Sequence, residues 1–191
     1  MNKHLTLAIL LVGLVGCTKA PTLKVYSLNA YNVESVHSIR YKDKSIKVSY
    51  PQSIKEQMSH KMNFSYSMSD RGTYLNSEWS NNISNLLQGI FIETLESADI
   101  FKVVLSDTSS LKENYRLESN VYAFEHQVRG RESHAIVSVQ FTLIDADTGK
   151  LIKSKRFSYK EVTPSVDAQG YASAANVVMT RLSSDLVKWL H

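Results

Sequence analysis

The residues able to do chemistry are few in this sequence, and they are scattered. It has one cysteine, Cys17, and six histidines, His4, His37, His60, His126, His134 and His191. No two histidines have the spacing of metal ligands on a helix, and there is no H-E-x-x-H, G-x-S-x-G, P-loop or G-x-G-x-x-G pattern. Asp145-x-Asp147-x-Gly149 has two acidic positions of a calcium loop but lacks the third and the terminal glutamate, so it reads as a hairpin turn. Glu161 and Asp167 lie near Ser158 and Ser165 in sequence without forming a constellation. The residues therefore point to no catalysis, no metal and no cofactor. A lone cysteine also excludes an intramolecular disulfide.

What Cys17 can do depends on what precedes it. Lys3 gives the N-terminus a positive charge, and Leu5 to Leu14 is apolar apart from Thr6. A bilayer-spanning helix needs about 20 apolar residues. This run is roughly half that and matches the h-region of a signal peptide. It ends in Leu14-Val15-Gly16-Cys17, which resembles the bacterial lipobox. Residues 1–16 are then a lipoprotein signal peptide, Cys17 is the lipidated residue, and residues 17–22 form a short tether. Two or more acyl chains anchor a protein stably, where one holds it only marginally. Fully extended, the five residues after Cys17 reach about 17 Å, so the domain must sit against its membrane. Thr18, in place of an aspartate after the cysteine, favours the outer membrane, with the domain facing the periplasm.

Residues 23–191 read as a single domain. Leu23 to Leu28, Ser45 to Tyr50 and Asn63 to Ser69 alternate as strands. A helical stripe follows: Trp79, Ile83, Leu86, Leu87, Ile90, Phe91, Leu95 and Ala98. Asn76 or Ser77 is its expected N-cap, Glu78 suits its positive start, and Gly89 is expected to allow close packing on a sheet. Four strands come next, at Phe101 to Leu105, Leu117 to Val128, Ala135 to Ile144 and Leu151 to Val162. The last two are joined by a turn at Asp145 to Lys150. A second amphipathic helix runs from about Asp167 to Leu190. The order predicts an α+β fold, a mainly antiparallel sheet with two long amphipathic helices packed on one face.

Two surface patterns could recognise partners. Lys150, Lys153, Lys155, Arg156 and Lys160 make the last strand basic, with Lys153 and Lys155 on one strand face, whereas residues 76–99 carry acidic side chains and no Lys or Arg. The basic cluster is a candidate surface for a protein partner or for anionic lipid. Phe64, Tyr66, Met68 and Tyr74 are a candidate hydrophobic groove, with burial in the core as the alternative. The net charge of +4 is far from that of a nucleic-acid-binding surface.

The order of these elements resembles the ABC-type transport auxiliary lipoproteins, the family of the paraquat-inducible protein C lipoprotein. The resemblance rests on the lipobox cysteine followed closely by Val25-Tyr26-Ser27-Leu28, then Ile46-Lys47-Val48 and Pro51. It continues through Phe64-Ser65-Tyr66, Tyr74, Trp79, Leu86, Leu87 and Leu95. Leu117-Glu118-Ser119-Asn120-Val121, Phe124, the Asp145 to Gly149 turn and a last helix ending near Trp189 complete it. It implies a non-enzymatic component of a system that moves lipids or other hydrophobic compounds between membranes. The implied partners are a mammalian-cell-entry (MCE) domain protein and ABC transporter components, with a homo-oligomer as an open alternative. Rival readings are a peptidoglycan-synthase activator, which would need a much longer tether, and a lipopolysaccharide-assembly factor.

Overall fold

The computed structural model describes residues 21–30, 41–53 and 58–191. The expected signal peptide, residues 1–16, and Cys17 lie outside them. The strands in chain order are β1 (Lys24–Tyr26), β2 (Ser45–Val48), β3 (Gln52–Ser53), β4 (Lys61–Ser65) and β5 (Arg71–Trp79). Helix α1 (Ile83–Ala98) follows, then β6 (Val103–Ser106), β7 (Tyr115–Arg129), β8 (Glu132–Asp145), β9 (Leu151–Val162) and helix α2 (Ala168–Leu190). This is an α+β fold.

The long strands are antiparallel: β7 pairs with β8, and β8 with β9. The other edge of β7 is shared. At its N-terminal end β2 pairs in parallel and carries β6; at its C-terminal end β4 pairs in parallel and carries β5 and then β1. β3 pairs between them. The sheet is thus forked, and β9 is an edge strand.

A bulge sets which side chains of β7 face the helices. Val121 lies opposite Val139 and Ala123 opposite Ser138, which leaves Tyr122 as the extra residue. Side chains alternate along a strand, so one extra residue reverses the phase. Leu117, Ser119 and Val121 are buried before the bulge, and Phe124, His126 and Val128 after it. Ala135, Val137, Val139, Phe141 and Leu143 supply the matching face of β8. Both helices meet it at Phe141, whose ring is 4.9 Å from Phe91 of α1 and 6.4 Å from Trp189 of α2. The helices are joined to each other by a buried hydrogen bond from Thr94 Oγ1 to Ser183 Oγ, 2.8 Å.

Three expectations about α1 are corrected. The helix does not begin near Trp79, and neither Asn76 nor Ser77 caps it. That segment is β5: Ser77 to Trp79 pair with β1, and the Trp79 N–H donates to the His60 carbonyl at 2.7 Å. Backbone held in a ladder cannot also start a helix. Asn82 is the N-cap, accepting the Asn85 N–H at 2.8 Å. Glu78 pairs with His60 at 3.4 Å instead of facing a helix start. Gly89 does not permit close packing, because a Cβ there would have no atom within 4 Å.

Candidate docking surfaces

The five basic residues do not form one patch. The pleat of β9 puts Lys153 and Lys155 on the helix side with the buried Phe157, and Arg156 and Lys160 on the opposite face. Lys153 Nζ donates to the carbonyls of Trp189 and Leu190 and lies 5.1 Å from the Trp189 ring. It therefore caps the negative end of α2. Lys155 is exposed, its ammonium 4.8 Å from the Phe157 ring. Across the sheet, the Arg156 guanidinium stacks 3.6 Å over Tyr122 and donates to Ser138 Oγ at 3.0 Å. Lys150 and Lys160 are exposed. Lys153 thus serves the fold, while Lys150, Lys155 and Lys160 present their charge to solvent along the edge strand.

The four residues of the candidate groove form a ladder from solvent to core. Met68 and Tyr66 are exposed at the turn between β4 and β5. Phe64 sits between Tyr66 and Tyr74, 5.2 Å from each ring. The outer end of its ring abuts Gly72, where a Cβ would come within 2.7 Å of Phe64 Cζ. Of the four, Tyr74 lines a cleft. That cleft has a volume of about 480 Å³ and is also bounded by Pro21, Lys24, Asn76 and Asp167.

Behind Tyr74 lies a feature that residue spacing did not suggest. The Tyr74 hydroxyl shares a 2.7 Å hydrogen bond with Nδ1 of His126. The imidazole is fully buried and stacks on Tyr171 at 5.2 Å with the planes 3° apart. Among the described residues, Nε2 of His126 has no hydrogen-bond partner. Charging the ring would place an N–H there among aromatic faces, so burial pulls its pKa down to about 4. Burial likewise pushes the Tyr74 phenol up to about 12. Asp167, the N-cap of α2, accepts the Gly170 N–H at 2.7 Å, and that bond holds its carboxyl below the usual range.

A second electrostatic knot holds the fork together. Glu113 is buried and pairs with Lys47 of β2 at 2.8 Å and with Arg116 of β7 at 2.6 Å. The hydrogen bond from Lys47 leads in lowering its pKa to about 2. The turn after β8 matches its sequence reading. Asp145 accepts both the N–H and the hydroxyl of Thr148, at 2.8 and 2.7 Å, and Gly149 has φ of 67°. Among the described residues no group of three or more His, Cys, Asp or Glu is placed to hold a metal ion. No helix there is long and apolar enough to cross a membrane.

Comparison with known proteins agrees with this architecture. Protein XCC0632 from Xanthomonas campestris superposes with a TM-score of 0.77 at 17% identity, over 87% of this chain and 94% of that one. CT253 from Chlamydia trachomatis does so with a TM-score of 0.54 at 9% identity, over 78% and 95%. A PelC dodecamer subunit from Paraburkholderia phytofirmans has a TM-score of 0.51 at 17% identity, over 88% and 94%. At these identities the likeness is one of fold. No curated protein sequence matches the chain. The family model described as the ABC-type transport auxiliary lipoprotein component matches residues 42–187, from before β2 to the last turn of α2, and the chain belongs to that family.

Proposed function

We propose that this protein is an outer-membrane lipoprotein, anchored through Cys17 and facing the periplasm, that docks an MCE-type, ABC-driven system carrying lipids or other hydrophobic compounds between membranes. The observation that carries this reading is the family match across residues 42–187. The lipobox ending at Cys17 and the short tether agree with it. A tether of about 17 Å argues against a role that requires reaching across the periplasm, such as activation of an inner-membrane peptidoglycan synthase. The role is docking, not catalysis. Within it, the edge strand β9, with Lys150, Lys155 and Lys160 exposed, is the surface offered to the protein partner.

A homo-oligomer belongs to the same reading. PelC, which shares the fold, is a dodecamer. In this chain α1 exposes Glu93 and Glu96 near the β6 flank, while β9 places exposed lysines on the opposite flank. Opposite charges on opposite flanks suit head-to-tail contacts that close into a ring. Sedimentation at rising salt tests this, and a monomer at all salt concentrations counts against it.

The anchor and destination are tested together. Labelled palmitate should enter the wild-type chain and not Cys17→Ser, and density-gradient fractionation should place the wild type with outer-membrane markers. Label in the mutant, or wild-type chain in inner-membrane fractions, would refute the corresponding half of the reading.

A further inference from the structure

The turn between β4 and β5 carries apolar side chains that the fold leaves open to solvent in large part. Met68 is 97% exposed and Tyr66 52% exposed. The turn is nonetheless held firmly. The N–H groups of Tyr66 and Ser67 donate to the Asp70 carbonyl, and Ser67 Oγ accepts the Asp70 N–H at 3.0 Å. The Arg129 guanidinium donates to the Tyr66 carbonyl, and Arg71 is paired with Glu125.

The register says which end of the molecule this is. Phe64 and Ser65 lie opposite His126 and Gln127, so the tip projects beside the C-terminal end of β7. The β7–β8 turn, with Gly130 and the exposed Arg131, lies at the same end. So does the start of the described chain. β1 runs parallel to β5 with Lys24 opposite Ser77, and the residues before Lys24 therefore run back toward the tip. Pro21 and Thr22 line the same cleft as Tyr74 and Asn76. Four peptide units separate Pro21 from Cys17, a span of about 14 Å at most. From Asn76 back along β5 to Gly72 is roughly 13 Å. The start of the described chain and the tip thus lie at the same end of the domain. Leu151, exposed at the far end of the sheet, is roughly 45 Å away along β7 and β8.

We propose that the β4–β5 tip is a membrane-contacting hairpin. Tyr66 and Met68 seat at the headgroup–acyl boundary of the bilayer that holds the lipid on Cys17, and they fix the tilt of the domain. This rests on the lipidated Cys17 of the proposed function. The chemistry fits that boundary. A tyrosine ring suits the interface with its hydroxyl in the headgroup layer, a methionine is apolar and adaptable, and Arg129 and Arg131 flank them toward lipid phosphates.

The test uses the full lipidated chain in vesicles of phosphatidylcholine and phosphatidylglycerol. Met68→Trp places a reporter at the tip and Leu151→Trp one at the opposite end. Both positions are exposed, and the parent protein, with Trp79 and Trp189, provides the background. The expected result is that both variants float with the vesicles. The tryptophan introduced at position 68 emits at shorter wavelength than in buffer and is strongly quenched by brominated phosphatidylcholine; the one at position 151 does neither. Flotation with an unquenched, water-like signal at position 68 overturns the hairpin proposal and leaves the anchor standing; the tip would then be free for a protein. Equal quenching at both positions also overturns it, because the domain would have no fixed tilt. Failure to float overturns both the anchor and the hairpin.

Discussion

His126 is where a single side chain governs most. Its pKa is held near 4 by burial, against an ordinary histidine value near 6.5. With the folded value depressed, the unfolded chain binds the proton first as pH falls. Stability is therefore fully present above about pH 6.5 and is lost progressively as pH falls toward 4, at no more than about 1.4 kcal/mol per pH unit. Urea denaturation of the wild type between about pH 7.5 and pH 5 should show this slope, and His126→Leu should flatten it whatever its absolute stability. An unchanged slope would mean that the imidazole is not the titrating group. Lys153 gives a second case. Lys153→Glu removes two charge-assisted bonds from the end of α2 and places an anion at its negative pole, for a loss of about 1 kcal/mol or more. Lys155→Glu, at an exposed position, should change stability by less than about 0.5 kcal/mol. Equal melting temperatures for the two variants would contradict the capping role. Sequence alternation correctly put the two lysines on one face. It could not show that one of them reaches a helix terminus 36 residues away in the chain.

Among the elements, the short strands β1, β2 and β6 were legible as well as the long ones, and the nine-residue β5 was not. β9 coincides with its expected span because the Asp145–Lys150 turn fixes its start, and α2 begins one residue after its expected start near Asp167 because it buries an unbroken periodic stripe and is capped by Asp167. β5 was hidden because Arg71 to Trp79 has no clean alternation. Exposed Leu75 and Asn76 sit where its register against β4 shifts. Trp79, read as the first turn of a helical stripe, packs in the same core from a strand, 5.9 Å from Phe124 and 5.4 Å from Tyr171. The bulge in β7 was readable in principle. Apolar positions fall on odd numbers through Val121 and on even numbers from Phe124, a change of phase within one strand. In α1, Gly89 has neither a neighbour to accommodate nor a turn to make. Gly89→Ala should therefore raise stability by about 0.5–1 kcal/mol, as seen in the midpoint of thermal or urea unfolding. A destabilised variant would contradict the open surroundings of Gly89.

The whole molecule is a forked sheet with helices over one face, and its features sort by end and by flank. The start of the described chain, the β4–β5 tip and the cap of α2 gather at one end, where the anchor would hold the domain to a bilayer. The basic edge strand spans the length of the sheet from the far end to that one, and the acidic face of α1 lies on the opposite flank. The gathering of features at one end was not visible in sequence, because parallel pairing of β1 with β5 and of β4 with β7 joins segments about 50–60 residues apart. The family assignment, by contrast, was legible from the order of elements around Cys17. Docking of a transport partner by this domain is read out by binding. Full lipidated chain in nanodiscs should bind a purified MCE-domain protein from the same cell saturably, and the double variant Lys155→Glu with Lys160→Glu should weaken that binding several-fold without unfolding the domain. No binding to the MCE-domain protein at low salt, or turnover of phospholipid by the chain alone, would contradict the account.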